Sequence, residues 1–279
     1  MSDVILVGVS GAPVSRRAVD WAVARAAERH QRVELIAVVG GALGTVGEES
    51  VVRDALAATQ EMLDEHVARV ADRGVAVTTR VERGNPVSVL ADASAHAALL
   101  VLGSDYRGEG GPARGPHGVR TAAAAKCPVV VVPDIDLGER SGVVVGIDGS
   151  EVSEHAIRFA AAEADRLGEP LIAVAVWTPL HAPRNSSAVY PELYLANMQA
   201  ATEEVLALSL AGLREDYPDL EVVRHVVQGY PAFVLNEMAH TARLAVVGTH
   251  GRGAIARFLL GSISQEVLAR LATVTAVVR

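Results

Sequence analysis

Gly248-Thr-His-Gly251-Arg-Gly-Ala-Ile-Ala-Arg-Phe-Leu-Leu-Gly261-Ser262 follows an apolar run, Leu244 to Val247, and leads into a helix beginning near Ser262. A strand that ends in glycine and runs through a loop to a helix N-terminus is a unit of an α/β fold. Physically it is also a place for an anion. Glycines let the backbone approach, unpaired N–H groups face phosphate oxygens, and the helix dipole favours negative charge. No Gly-Lys-Ser/Thr follows the glycines, so this is not a Walker loop. Gly251-Arg-Gly253-Ala-Ile-Ala256 mimics a dinucleotide fingerprint, but that fingerprint belongs in the first βα turn with an acidic residue about 20 residues on. Here it lies in the last such turn, and the nearest acidic residue, Glu266, falls inside the following helix. The match is coincidental.

Outward from this stretch the chain repeats itself. Val4-Ile-Leu-Val-Gly8-Val-Ser10-Gly11 matches Val143-Val-Val-Gly146-Ile-Asp148-Gly149, and Leu35–Val38 matches Leu171–Val174. Arg83-Gly84-Asn-Pro86 recurs as Gln228-Gly229-Tyr-Pro231, and Leu100–Gly103 as Ala245–Gly248. A period of about 140 residues is that of a domain, not of a solenoid unit. Pro133 to Ser141 is polar and turn-rich and reads as the linker. The domains are expected at 1–133 and 142–279.

Within the second copy the strands are expected at Val143–Ile147, Leu171–Trp177, Glu221–Val227, Leu244–Val247 and Thr275–Val278. Helices are expected between them at Ser153–Leu167, Pro191–Tyr217, Pro231–Thr241 and Ser262–Ala272. Several strands are continuous apolar runs, as parallel strands covered on both faces should be. Right-handed crossovers then produce a doubly wound sheet. Alternation alone leaves the strand order open.

Half of the residues are hydrophobic but only 4% aromatic, which suits short β-branched strands under alanine-rich helices. The net charge of −8 disfavours nucleic acid and anionic membrane surfaces. A single cysteine, Cys127, excludes an intramolecular disulfide and fits a reducing compartment. The first residues read as a strand rather than a signal peptide, and no apolar run reaches the ~20 residues of a membrane span. A cytoplasmic location is the expectation.

The spacing Gly248, two residues, Gly251, nine residues, Gly261-Ser262 resembles the nucleotide loop of the universal stress protein family, in its ATP-binding branch. Val143 to Ser150 resembles that family's first strand with its terminal Asp, and Ser153 with Ala156 resembles the start of its first helix. The resemblance covers nearly the whole chain, in two copies. It implies two tandem Rossmann-like domains of the α/β class, each a doubly wound five-stranded parallel sheet of order 3-2-1-4-5. It implies ATP, with or without Mg2+, as the ligand, in the crevice where the winding reverses between strands 1 and 4.

Val176 would then offer its backbone to the adenine edge, and Asp148 would bond the ribose hydroxyls. Gly251, Gly261 and Ser262 would hold the phosphates, with Arg252 reaching a terminal one. Ile147, Gly248 and Ile263 complete the expected nucleotide-binding set. The resemblance further implies that the last strands of the two copies pair within the chain. That leaves a homodimer to other surfaces, alongside an unidentified protein partner.

Each residue has a plainer role beside this one. Asp148-Gly-Ser150 also suits an ordinary turn and helix cap, and Ser262 is the expected N-cap of the last helix. The histidines show no metal-ligand spacing, and no nucleophile with triad partners stands out, so neither a metal site nor a catalytic residue is expected.

The first copy has lost the pattern. Ser10 stands for Asp148 and Tyr106 for Gly251; counted forward from Gly103, Pro116-His117 stands for Gly261-Ser262. Pro116 removes an N–H and Glu109 adds a negative charge, so this copy is expected to bind ATP poorly or not at all. Regulation by ATP occupancy, with little or no hydrolysis, is the leading function. An ATP pyrophosphatase-like enzyme is the first alternative, faintly suggested by Ser10-Gly-Ala-Pro-Val-Ser15. A nucleotide-free interaction scaffold is the second.

Overall fold

The computed structural model describes residues 2–40, 48–105, 117–179, 192–251 and 260–279. The chain divides into two compact units, the first running to Asp136 and the second starting at Leu137. Unit 1 comprises β1 (Val4–Gly8), α1 (Val14–Arg29), β2 (Arg32–Val39), α2 (Glu48–Val70), β3 (Val77–Arg83), α3 (Pro86–Ala93), β4 (Leu99–Ser104), α4 (His117–Ala124) and β5 (Val129–Pro133). Unit 2 comprises β6 (Val143–Ile147), α5 (Glu151–Leu167), β7 (Leu171–Trp177), α6 (Glu192–Ser209), α7 (Leu213–Asp216), β8 (Val222–Gln228), α8 (Pro231–Ala239), β9 (Leu244–Gly248), α9 (Ser262–Arg270) and β10 (Val274–Val278).

All the strand pairs described are parallel, and each unit has the order 3-2-1-4-5: β3-β2-β1-β4-β5 in the first and β8-β7-β6-β9-β10 in the second. The expected fold is therefore the observed one. Its cause is visible in β6, where Val143, Val144 and Val145 are β-branched and at most 1% exposed, as a strand covered on both faces requires. Against this sheet α5 turns Ala156, Ala160, Ala161 and Ala164, all fully buried. Their small side chains let the helix axis lie close to the strands.

Two expectations need correction. The helix expected at Pro191–Tyr217 is two helices within the described residues, because Gly212 takes a left-handed conformation (φ 81°) and caps α7 after α6 has ended at Ser209. Such a backbone conformation cannot continue a helix, and glycine reaches it at little cost.

The strand repeat is also displaced. Ile5 pairs with Val33 and Val143 with Leu171, so the counterpart of Leu171 is Val33 and not Leu35. A slip of two residues keeps every side chain on the same face of a strand, so apolar alternation could not reveal it.

The ladders end unevenly in unit 2, and that positions the site. β6 pairs with β7 as far as Ile147 and Ala175, but with β9 only from Val143–Leu244 to Val145–Val246. β9 meanwhile continues against β10 to Gly248 and Val278, and β7 against β8 to Trp177 and Gln228. Beyond Val145 and Val246, strands 1 and 4 of unit 2 part company. The crevice opens there, at the carboxyl ends of the strands.

Candidate functional site

Asp148 follows β6 and turns the chain into α5. Its Oδ1 accepts hydrogen bonds from the Ser150 backbone N–H (3.0 Å) and the Ser150 hydroxyl (2.6 Å). Ser150 in turn caps α5 by accepting from the Ser153 N–H at 3.2 Å, and Gly149 supplies the left-handed turn between them (φ 75°). The turn-and-cap role of Asp148-Gly-Ser150 is thus present, and it takes up one carboxylate oxygen. The other oxygen faces across the crevice: a Cβ added at Gly251 would stand 2.5 Å from Asp148 Oδ2. Two segments about 100 residues apart in sequence converge here. A side chain at 251 would have to displace the Asp148 carboxylate.

On the β9 side, the Thr249 N–H donates to the Val278 carbonyl (2.7 Å) and the Thr249 carbonyl accepts from the Gly261 N–H (2.8 Å). The Ser264 hydroxyl donates to the Gly248 carbonyl at 2.5 Å. These bonds hold the first turn of α9 beside the end of β9.

They also revise two roles. The N-cap of α9 is Gly261, in an extended conformation, and Ser262 is the first helical residue; no side chain caps this end. Since the Gly261 N–H is taken by Thr249, its contribution is space, a Cβ there meeting the Thr249 carbonyl at 3.2 Å. The donors that an anion would meet are the first-turn N–H groups of α9, at Ser262 and Ile263, which have no acceptor within the helix.

Gly248 ends β9, where a Cβ would meet Val152 Cγ1 at 2.8 Å. Close approach of α5 explains this glycine. Ile147 ends β6 with its side chain buried, 4% exposed. Val176 lies on β7 beyond the last β6 pair, so the edge of its backbone that faces β6 has run past its partner strand. Arg252 lies outside the described residues, as do Tyr106, Glu109 and Pro116 of the first copy.

Two members of the site were not singled out from sequence. Thr249, 3% exposed, and Ser264, 5% exposed, are buried polar residues that tie the loop to the sheet. A polar residue directly after an apolar strand, and a second serine two positions past Ser262, were the only signals. His250 lies between the glycines with Nε2 buried and without a hydrogen-bond partner. Burial, with Arg279 nearby, holds its imidazole below the ordinary value, so the ring is biased to the neutral form. Among the described residues no group of three or more His, Cys, Asp or Glu could hold a metal ion, and no helix is long and apolar enough to cross a membrane.

A doubly wound α/β unit with glycines at its switch point, set after a second unit of the same order, defines a tandem doubly wound α/β protein. A model of the Universal stress protein family matches residues 1–133 and 140–279. The chain belongs to the universal stress protein family. It is 35% identical to Universal stress protein Rv2005c of Mycobacterium tuberculosis, over 95% of this chain and 92% of that protein. It is 34% identical to a universal stress protein of Mycolicibacterium smegmatis, over 99% and 96%. Among solved structures, a universal stress protein from Archaeoglobus fulgidus shares the fold with a TM-score of 0.73 at 17% identity, covering all of this chain and 97% of its own.

Proposed function

We propose that unit 2 binds one ATP in the crevice between β6 and β9, and that its occupancy is a regulatory signal in a cytoplasmic stress response. The observation that carries this is the convergence of Asp148 and Gly251, a carboxylate and a glycine turn about 100 residues apart in sequence. The glycine at 251 and the open first turn of α9 are a cradle that side chains would fill, so the residues fit the nucleotide. In this reading Asp148 takes the ribose hydroxyls, and the backbone of Val176 meets the adenine edge. Gly251 and the N–H groups of Ser262 and Ile263 receive the phosphates, with Arg252 at the terminal one; Mg2+ would arrive with the phosphates.

The role is binding rather than turnover. Asp148 is engaged by Ser150 and, in this reading, by the ribose, which leaves it no part as a base for an attacking water. Unit 1 has Ser10 at that position. Any homodimer or partner protein would read the occupied state of unit 2.

Incubating the purified chain with ATP, then measuring bound nucleotide and released ADP or AMP, tests the proposal. Retained ATP with little product is expected. Rapid release of AMP and pyrophosphate would favour the enzyme alternative, and no retention would favour a scaffold.

A further inference from the structure

Five side chains of unit 2 make polar or cation–aromatic contacts between the end of β7, the start of α8 and α9. The Thr178 hydroxyl, just past β7, donates to the Gly229 carbonyl at 2.6 Å. The next residue, Tyr230, is the N-cap of α8 without capping it, and its phenol instead donates to Glu266 Oε1 on α9 at 2.5 Å. One turn on, Arg270 of α9 lies with Cζ 5.7 Å from the centre of the Phe233 ring on α8. Tyr230 and Phe233 are 47% and 50% exposed, so burial in the core does not account for them.

All five are replaced in unit 1. The ladders that align Val39–Arg83 with Trp177–Gln228 place Gly40 at Thr178, Asn85 at Tyr230 and Ser88 at Phe233. Counting back from Gly103–Val132 and Gly248–Val278 places Arg120 at Glu266 and Ala124 at Arg270. Asn85 does the local work that Tyr230 forgoes, accepting from the N–H groups of Val87 and Ser88 at 3.0 and 3.3 Å. The unit that lacks the glycine-serine loop pattern also lacks every member of this set.

We infer that Tyr230 and Phe233, through Glu266 and Arg270, are positioning residues that strap α9 to α8 and so hold the phosphate-facing first turn of α9 in register with the β7 end of the site. This rests on the nucleotide reading proposed above. The contacts that reach α9 are Tyr230 with Glu266 and Phe233 with Arg270, so their loss should act most on ligands that carry phosphates and least on those that do not. A residue that only stabilised the fold would move both alike.

The test is calorimetry of the full chain with ATP and with adenosine, alongside amide hydrogen exchange of residues 262–270 in the nucleotide-free protein. Tyr230→Phe should weaken ATP binding roughly two- to five-fold, as expected for a partly exposed hydrogen bond to a carboxylate. Adding Phe233→Ala should bring the loss to roughly tenfold. Adenosine affinity should stay within about twofold of wild type, and α9 should exchange faster. Glu266→Gln, which keeps an acceptor for the phenol, should behave like wild type. Equal losses for ATP and adenosine, or unchanged exchange in α9, would overturn the strap. A wild-type chain that binds no ATP, with α9 still loosened in the variants, would instead overturn the nucleotide reading and the positioning role built on it.

Discussion

Where β6 and β9 stop pairing after Val145 and Val246, their counterparts in unit 1 carry the ladder one pair further, to Gly8 and Leu102. The loop that follows closes on itself there as well. The Ser10 N–H donates to the Ser15 hydroxyl at 3.0 Å, and the two hydroxyls lie 3.3 Å apart. In unit 2 the position of Ser10 is Asp148, whose Oδ2 lies on the side of Gly251, and the hydroxyl of Ser153, the counterpart of Ser15, is buried without a hydrogen-bond partner. Among the described residues, the strand 1 turn of unit 1 is tied by Ser10 and Ser15, while that of unit 2 keeps a buried Ser153 hydroxyl with no partner. Fold and site therefore rest on different residues. The buried apolar runs keep the sheet in both units, while the turns at the strand ends are free to lose or keep a ligand.

The largest expected effect is at Gly251, with Gly103, the counterpart of Gly248, as a contrast outside the ligand reading. Gly251→Ala pushes a methyl group against Asp148, and should weaken ATP by roughly ten- to a hundredfold, the worth of one or two lost bonds to a charged ligand. In unit 1, a Cβ at Gly103 would meet Val14 Cγ1 at 2.9 Å. Gly103→Ala should therefore cost about 1–3 kcal/mol of stability by overpacking and leave ATP affinity unchanged. Calorimetry paired with urea unfolding reads both, and the reverse assignment of effects would contradict the comparison.

A smaller effect concerns pH. Among the described residues each unit holds one imidazole below its ordinary value: His66 by burial, then by Arg69 and Arg16, and His250 by burial, then by Arg279. With folded values lowered, the unfolded chain binds protons that the folded chain does not as pH falls below about 6.5. Stability from these groups is complete above that value and declines as pH drops through the folded values. His66→Gln and His250→Gln should each flatten part of the decline in urea midpoint between pH 7.5 and 5.5. A decline unaltered by both would remove these two histidines as its cause.

Much of this was legible in the residues. The apolar runs from Val143 and from Leu171 are bounded by glycine or polar turns, and β6 and β7 occupy the expected spans. The loop spacing from Gly248 to Ser262 pointed to a place that the ladders independently open. Other features had no local signal. A two-residue slip between Leu35 and Val33 is invisible to a pattern of period two. The end of α6 was written in Gly212, but a lone glycine inside a long helical pattern is often tolerated. Ser262 looked like the N-cap, yet Gly261 holds that place because its N–H is drawn to Thr249. Tyr230 and Glu266 lie on successive helices, and nothing along the chain marks them as partners.

The degenerate loop places the landmark differently from its two ends. Forward from Gly103, the Gly261-Ser262 position falls at Pro116-His117. Backward from the β4–β5 register it falls at Gly115-Pro116, since the loop is one residue shorter. Pro116 occupies the landmark either way, and it has no N–H to offer a phosphate.

The central claim is asymmetry between two units of one fold, and the number of ATP molecules bound per chain tests it most directly. Isothermal calorimetry on the full chain should give a stoichiometry near one. Asp148→Ala should weaken that site by roughly tenfold or more, while Ser10→Ala leaves it unchanged. Two equivalent sites per chain, or a single site indifferent to Asp148 and sensitive to Ser10, would contradict the account.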